Sequence, residues 1–192
     1  MRDMLDAPLP PAPGADTWLA LDFANTAIAL PNGQYVDLLG RPAAVNDWLT
    51  AHNLAPENAD VQELCATQLR ALREHVRSLF AARLAGAPAL PAALDAVNDA
   101  ITRVPTAPLL RWDDRTGPYR AALCPTNKIL EHALATISAN AADLLTSAEP
   151  LTACEATPCN RYLIPHGRRH WCSTRCGDRA RAARAYARRT AR

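Results

Sequence analysis

The sequence contains no apolar run that approaches the roughly 20 residues needed for a membrane-spanning helix. Its start, MRDMLDAPLPPAPGADT, is rich in proline and mildly acidic, and it has no apolar signal-peptide core. The chain also lacks a phosphate-cradling glycine loop, a GxSxG elbow, an HExxH pair and internal repeats. We therefore expect a soluble, cytoplasmic protein, no interaction with membranes, and no enzymatic activity.

The apolar content is sufficient for one medium-sized domain, because 49% of the 192 residues are apolar and 21% are charged. Asn58 or Asp60 is predicted to cap a long helix, in which apolar residues recur at helical spacing from Val61 to Phe80, ahead of a stop at Gly86. Other predicted elements are a strand at 34–39, helices at 42–52 and 91–102, a hairpin joining 109–112 to 119–123, and a helix that starts near Pro125. The fold class expected is α+β.

Three segments follow from this pattern. Residues 1–16 hold several prolines and little that can pack, so they are predicted to form a disordered leader. Residues 17–149 form the predicted mainly helical domain with a small sheet. Pro150 marks the predicted boundary, and residues 150–192 form a small C-terminal module.

Charge is divided unevenly between these segments. Residues 1–153 carry 11 Lys or Arg against 17 Asp or Glu, a net charge of −6, whereas residues 154–192 carry 10 Arg against two acids, a net charge of +8. A basic segment in an otherwise acidic chain indicates an anionic partner, most often nucleic acid.

Four cysteines lie within this basic segment, in two close pairs about a dozen residues apart: Cys154, Cys159, Cys172 and Cys176. Such spacing allows each pair to offer two thiolates to one tetrahedral ion, and four thiolates close the shell. We therefore predict one structural zinc per chain. The short module has little apolar content of its own, so the ion would supply most of its folding free energy.

Other residues could in principle take part in this site. His166 and His170 lie just before Cys172, and either imidazole could replace a cysteine, although solvated loop residues are the simpler interpretation. Cys65 and Cys124 are interpreted as small packing residues.

A basic helix is predicted after the second cysteine pair. Ser173 is a good N-cap, which would place Cys176 in the first helical turn. Further along, arginines fall on one stripe at positions 181, 184, 188 and 192. Like charges on one stripe repel each other, and an anionic partner would relieve that repulsion.

Residues 154 to about 189 resemble the CGNR zinc finger, a bacterial module named for a Cys-Gly-Asn-Arg run after an Arg-Arg-Trp-Cys-Ser segment. The matching text is RRHWCS at 168–173 and CGDR at 176–179. His170 interrupts the first run, and Asp178 replaces the naming asparagine, with Arg175 and Arg181 as its candidate charge partners. Upstream, LDFANT at 21–26 resembles the signature that opens the ABATE domain, which commonly precedes this finger in stress-induced transcriptional regulators.

The resemblance implies a zinc-binding and DNA-binding transcriptional regulator whose N-terminal domain senses a signal or dimerises. The candidate DNA-binding residues are the arginines of the motif and of the helix: Arg168, Arg169, Arg175, Arg179, Arg181, Arg184 and Arg188. A homodimer and an unknown small-molecule effector are further partners to consider.

Other interpretations stay open. The zinc module could instead bind an acidic protein. Asp22, Asn25 and Thr26 could line a ligand pocket, or they could satisfy backbone groups locally, which is the commoner role of such residues.

Overall fold

The computed structural model describes residues 10–31, 33–57, 59–104, 109–121, 128–167 and 169–190. The chain divides into two compact units, one from residues 1–37 and 147–192 and the other from residues 38–146. Helices and two-stranded antiparallel sheets confirm the α+β class. The elements in chain order are α1 (Leu19–Ala24), β1 (Ala27–Ala29), β2 (Tyr35–Asp37), α2 (Pro42–Ala51), α3 (Glu63–Ala85), α4 (Pro91–Thr102), β3 (Leu109–Asp113), β4 (Gly117–Ala121), α5 (Ile129–Thr146), β5 (Thr152–Ala153), β6 (Tyr162–Leu163) and α6 (Thr174–Thr190).

The long helix α3 organises the unit of residues 38–146. Its predicted apolar stripe is buried, including Leu69, Leu72, Val76, Leu79 and Phe80. The helix ends at Gly86, whose φ of 60° is left-handed, a conformation that glycine adopts without a Cβ penalty. The helix begins at Glu63, later than a cap at Asp60 would place its start. The Asp60 carboxylate does not cap the helix, because it accepts a hydrogen bond from the Gln62 side chain at 2.6 Å. Asn58, the other predicted cap, lies outside the described residues.

Two shorter helices of this unit begin as the sequence predicts. Proline occupies the start of α2 and of α4, where its missing N–H costs nothing. Helices α3, α4 and α5 pack against one another, and α5 contributes buried Leu134, Ile137 and Leu144. The predicted start of α5 near Pro125 and the packing role of Cys124 fall outside the described residues.

Strands β3 and β4 form the predicted hairpin with a shorter loop, because Asp113 pairs with Gly117 at its end. The Asp113 carboxylate accepts hydrogen bonds from the backbone N–H of Thr116 at 2.8 Å and of Arg115 at 2.9 Å. These bonds, the one from Thr116 first, hold the pKa of the Asp113 carboxyl below its usual value. The hairpin is solvent-exposed along both strands.

The other unit begins with residues 10–37. Helix α1 settles the structure of the 18–26 segment, which is too short for periodicity to decide, and it buries Leu21 and Phe23. Residues 10–16, part of the expected leader, form turns and pack. Gly14, at φ +87°, lies so close to Ile164 that an added Cβ would be 2.7 Å from Cγ1 of that side chain, and the Ile164 N–H donates to the Pro13 carbonyl at 2.8 Å. Residues 1–9 are outside the described range.

Residues 147–190 complete this unit. The two-residue strands β5 and β6 pair antiparallel, with Thr152 opposite Leu163, and β6 contacts α1. Strands of two residues have no alternation that a sequence could reveal. A boundary at Pro150 stays a prediction. None of the helices in the described part of the chain has the length and apolarity that a membrane span requires.

Candidate metal centre and basic helix

The β5–β6 hairpin presents the first cysteine pair. Cys154 follows β5, and its backbone N–H donates to the Arg161 carbonyl across the hairpin at 2.8 Å. Cys159 lies in the connecting loop, which is tightened by a hydrogen bond from the Cys159 N–H to the Ala156 carbonyl at 2.9 Å. The hairpin thus holds both thiols of the pair on the same loop.

The start of α6 presents the second pair. The Ser173 hydroxyl accepts the backbone N–H of Cys176 at 3.2 Å, which is the N-cap bond predicted from the sequence. Cys172 therefore lies just outside the helix and Cys176 in its first turn. Gly177 allows Trp171 to pack against this turn, since an added Cβ would lie 3.2 Å from Cε3 of the indole.

The four cysteine sulfurs converge on one point. All four Sγ atoms lie within 4.8 Å of one another, and the Cys172 sulfur is 3.6 Å from those of Cys159 and Cys176. A tetrahedral ion with Zn–S bonds of about 2.3 Å requires sulfurs roughly 3.8 Å apart, so the donor set fits zinc. The Cys172 N–H also donates to the Cys154 sulfur at 3.4 Å. The predicted structural zinc, one per chain, is confirmed in ligand number and chemistry.

The four thiols lie so close together that their pKa values shift in opposite directions. Hydrogen bonding with the Cys159 thiol, and then with that of Cys172, lowers the pKa of Cys154 to about 6. The same contact with Cys154 raises the pKa of Cys159. Thiolates this close repel one another, so all four can be ionised together only with a cation between them. A bound zinc would supply that charge, and its bonds to the four sulfurs would join the β5–β6 hairpin to α6.

Apolar residues from several segments surround the cysteines. The cluster consists of Ala12, Ala156, Leu163 and Ala180 with the cysteines, and Trp171 packs on it. His166 and His170 are exposed, and His170 lies 3.5 Å from the Glu155 carboxylate rather than at the sulfurs. Cys65 is half-buried on α3 and is not one of the four grouped cysteines.

Two family models match this chain. One is the CGNR zinc finger over residues 151–189, and the other is ABATE, described as "Putative stress-induced transcription regulator", over residues 18–148. The chain belongs to the ABATE family. The curated proteins searched include no match to it. This ABATE protein thus combines a regulator-type domain with a zinc finger, in the order that the sequence predicts.

In this ABATE protein, the signature at 21–26 contacts the finger. The Asn25 side chain is buried; its amide donates to the Tyr162 carbonyl at 2.9 Å and its oxygen accepts the Tyr162 N–H at 2.8 Å. The Thr26 hydroxyl donates to the Phe23 carbonyl at 2.7 Å. Both side chains therefore satisfy backbone groups. Sequence reasoning missed the Asn25 contact because its partner is 137 positions away.

The finger of the ABATE protein carries the predicted basic residues in two different settings. Five of them are exposed: Arg169, Arg175, Arg181, Arg184 and Arg188. Arg179 differs, because its guanidinium is half-buried and donates to the Ala156 carbonyl at 2.7 Å and to the Cys176 sulfur at 3.5 Å. Arg168 lies outside the described residues.

The arginine stripe of α6 is partly neutralised. Arg181 pairs with Asp178 at 2.5 Å, one of the two partners predicted for that aspartate, and Arg184 lies 3.5 Å from Glu155. Both guanidiniums also lie near the Trp171 ring, at 5.6 and 5.8 Å from its centroid. The two acids of the basic segment, Asp178 and Glu155, thus both pair with arginines of this stripe.

Proposed function

We propose that this protein is a cytoplasmic, stress-responsive transcriptional regulator that binds DNA through its zinc module and acts by binding rather than by catalysis. The observation that carries the proposal is the position of the exposed arginines Arg175, Arg181, Arg184 and Arg188 on a helix whose first turn belongs to the metal site. A helix held in this way presents its guanidiniums without the cost of folding on binding. Exposed Arg169 adds to the proposed surface, and Arg168 is a further DNA-binding candidate on the sequence alone.

The internal ion pairs leave this surface available to phosphate. The side chains of Arg181 and Asp178 are 60% and 72% exposed, and pairs in such solvent contact contribute little free energy. Residues 154–192 still carry a net charge of +8 after both acids are counted. A phosphate backbone can therefore compete for these guanidiniums.

Fluorescence anisotropy of a labelled duplex, titrated with zinc-loaded protein at several salt concentrations, tests the proposal. We expect the logarithm of the association constant to fall linearly with that of salt, with a slope of about −0.9 per phosphate neutralised. Arg181→Ala combined with Arg184→Ala should weaken binding and make the slope shallower by about one for each arginine that pairs with a phosphate in the parent.

The matched control is Arg115→Ala combined with Arg120→Ala, which removes the same charge from exposed positions on the β3–β4 hairpin. This control should bind as the parent does. Binding that is indifferent to salt, or that the stripe variant and the control weaken equally, would contradict the proposal.

A second candidate is a protein-interaction module that binds an acidic partner. Tyr186 favours it, because this tyrosine is 64% exposed beside exposed Ala182 and Ala183 on α6. Exposed aromatic residues together with arginine are typical of protein interfaces. Pull-down after nuclease treatment separates the candidates: partners retained undiminished favour the interaction module, and partners released with the nucleic acid favour the regulator.

The partners of the N-terminal domain, residues 17–149, stay predictions. A groove along α3 and α4, lined by His75, Asp99 and Arg103 around apolar Leu72 and Leu134, is where we propose that a small effector would bind. A homodimer through the same domain would appear as a doubled mass in light scattering.

A further inference from the structure

Arg161 is a buried cation beside the cysteine quartet. Its residue is only 4% exposed. One terminal nitrogen, Nη1, donates to the Cys172 sulfur at 3.8 Å, and Nη2 donates to the Pro10 carbonyl at 2.9 Å. Within the described part of the chain, no carboxylate forms an ion pair with this guanidinium. A guanidinium stays protonated when buried, so it requires a negative charge nearby.

Arg179 reaches the same cluster from α6. Its Nη2 lies 3.5 Å from the Cys176 sulfur and 2.7 Å from the Ala156 carbonyl. Arg161 and Arg179 therefore donate to different sulfurs, those of Cys172 and Cys176. The backbone N–H of Cys172 donates to the Cys154 sulfur at 3.4 Å, so that three of the four sulfurs accept an N–H.

The charges explain why two arginines are needed. Zinc with four thiolates carries a net charge of −2, and three of the four cysteines are buried. Burying an uncompensated charge is costly. Two guanidiniums bring the local charge to zero and at the same time supply hydrogen bonds to sulfur, as outer-shell partners do in other metal sites.

We propose that Arg161 and Arg179 are the outer shell of the zinc site, where they neutralise the thiolates and hold the sulfurs in place. This gives Arg179 a role different from that of the exposed arginines of α6. Arg161 additionally links the metal to the segment that begins at Pro10. The proposal concerns the metal alone, so its tests need no DNA.

The test uses the full-length variants Arg161→Gln and Arg179→Gln, with Arg179→Lys as the rescue. Zinc affinity is measured by competition with a chromophoric chelator. We expect each glutamine variant to bind zinc about 10-fold to 100-fold more weakly, the range seen when outer-shell partners are removed. Arg179→Lys should recover part of the loss, because lysine restores the charge.

Cobalt substitution separates this role from simple packing. Removing a positive charge from a thiolate makes its electrons easier to transfer to the metal, so the sulfur-to-cobalt charge-transfer band should move to longer wavelength in both glutamine variants. The matched control is Arg189→Gln, an exposed arginine of α6 that belongs to neither the proposed outer shell nor the proposed DNA-binding surface. It should leave zinc affinity and the band unchanged.

If Arg161→Gln fails to fold, the half-buried Arg179 variants decide the question. Arg179→Gln with parental zinc affinity and an unshifted cobalt band would overturn the proposal. Weaker zinc binding without any band shift would also overturn it, because that pattern indicates a packing role alone.

Discussion

At the scale of single residues, Asn25 ties α1 to the zinc finger. The buried side-chain amide of Asn25 hydrogen-bonds to both the N–H and the carbonyl of Tyr162, as the backbone of a neighbouring strand would. Nearby, Asn160 Oδ1 accepts the Ala29 N–H at 2.8 Å, which makes a second link of the same kind. The ABATE signature therefore has a structural role in holding β6.

Replacing Asn25 with alanine should destabilise the unit that contains the finger. The substitution removes two buried hydrogen bonds to the Tyr162 backbone, at a cost of about 0.5–1.5 kcal/mol for each bond. Urea unfolding measures the decrease in the free energy of unfolding, and hydrogen exchange at the Tyr162 amide should accelerate.

Asn98→Ala, at an exposed position on α4, is the matched control and should unfold as the parent does. An Asn25→Ala protein with unchanged stability and unchanged exchange at Tyr162 would show that the two hydrogen bonds contribute nothing.

Local spacing explains which of these residues could be predicted. The cysteine ligands and Ser173 lie within one short segment, and ligand geometry constrains their spacing, so their roles follow from the sequence. Asn25 and Arg161 bind partners 137 and 151 positions away. Such contacts depend on the complete fold, and no local pattern reports them.

At the scale of elements, α6 depends on the metal site for its start. Ser173 caps the helix, Cys176 offers a metal ligand from its first turn, and Trp171 packs against Gly177. Few residues of α6 are buried beyond this turn, and exposed arginines repel one another along it. The helix therefore has little to stabilise it once the metal is removed.

Cys172→Ser should abolish or strongly weaken zinc binding and melt α6. Circular dichroism should show a decrease in helical signal corresponding to most of the 17 residues of this helix. Helices α3, α4 and α5 should persist, because they belong to the other compact unit and pack against one another. Cys65→Ser is the control and should keep the zinc and the signal. A zinc-free Cys172→Ser protein with parental helical content would contradict this dependence.

Elements differ in how far the sequence predicts them. Proline at the start of α2 and α4 and glycine after α3 are strong local signals, and these boundaries agree within a few residues. Helix α1 has six residues and β5 and β6 have two each, which is too short for a period to appear.

At the scale of the whole molecule, one compact unit joins the first 37 residues to the last 46. Ala12 lies in the apolar cluster around the cysteines, and Gly14 is in close contact with Ile164. Composition alone suggested a disordered leader, because prolines and small residues have little to bury by themselves. Residues 10–16 pack here because the finger offers an apolar surface that these residues cannot form by themselves.

Four cysteine sulfurs close the coordination shell of one structural zinc in this protein. Zinc-edge X-ray absorption of the purified, zinc-loaded protein tests this claim most directly. We predict one zinc per chain with four sulfur ligands at about 2.3 Å and no nitrogen or oxygen ligand in the first coordination shell. A nitrogen or oxygen neighbour at about 2.0 Å would contradict the claim, because it would mean that a histidine or water occupies a position we assign to cysteine.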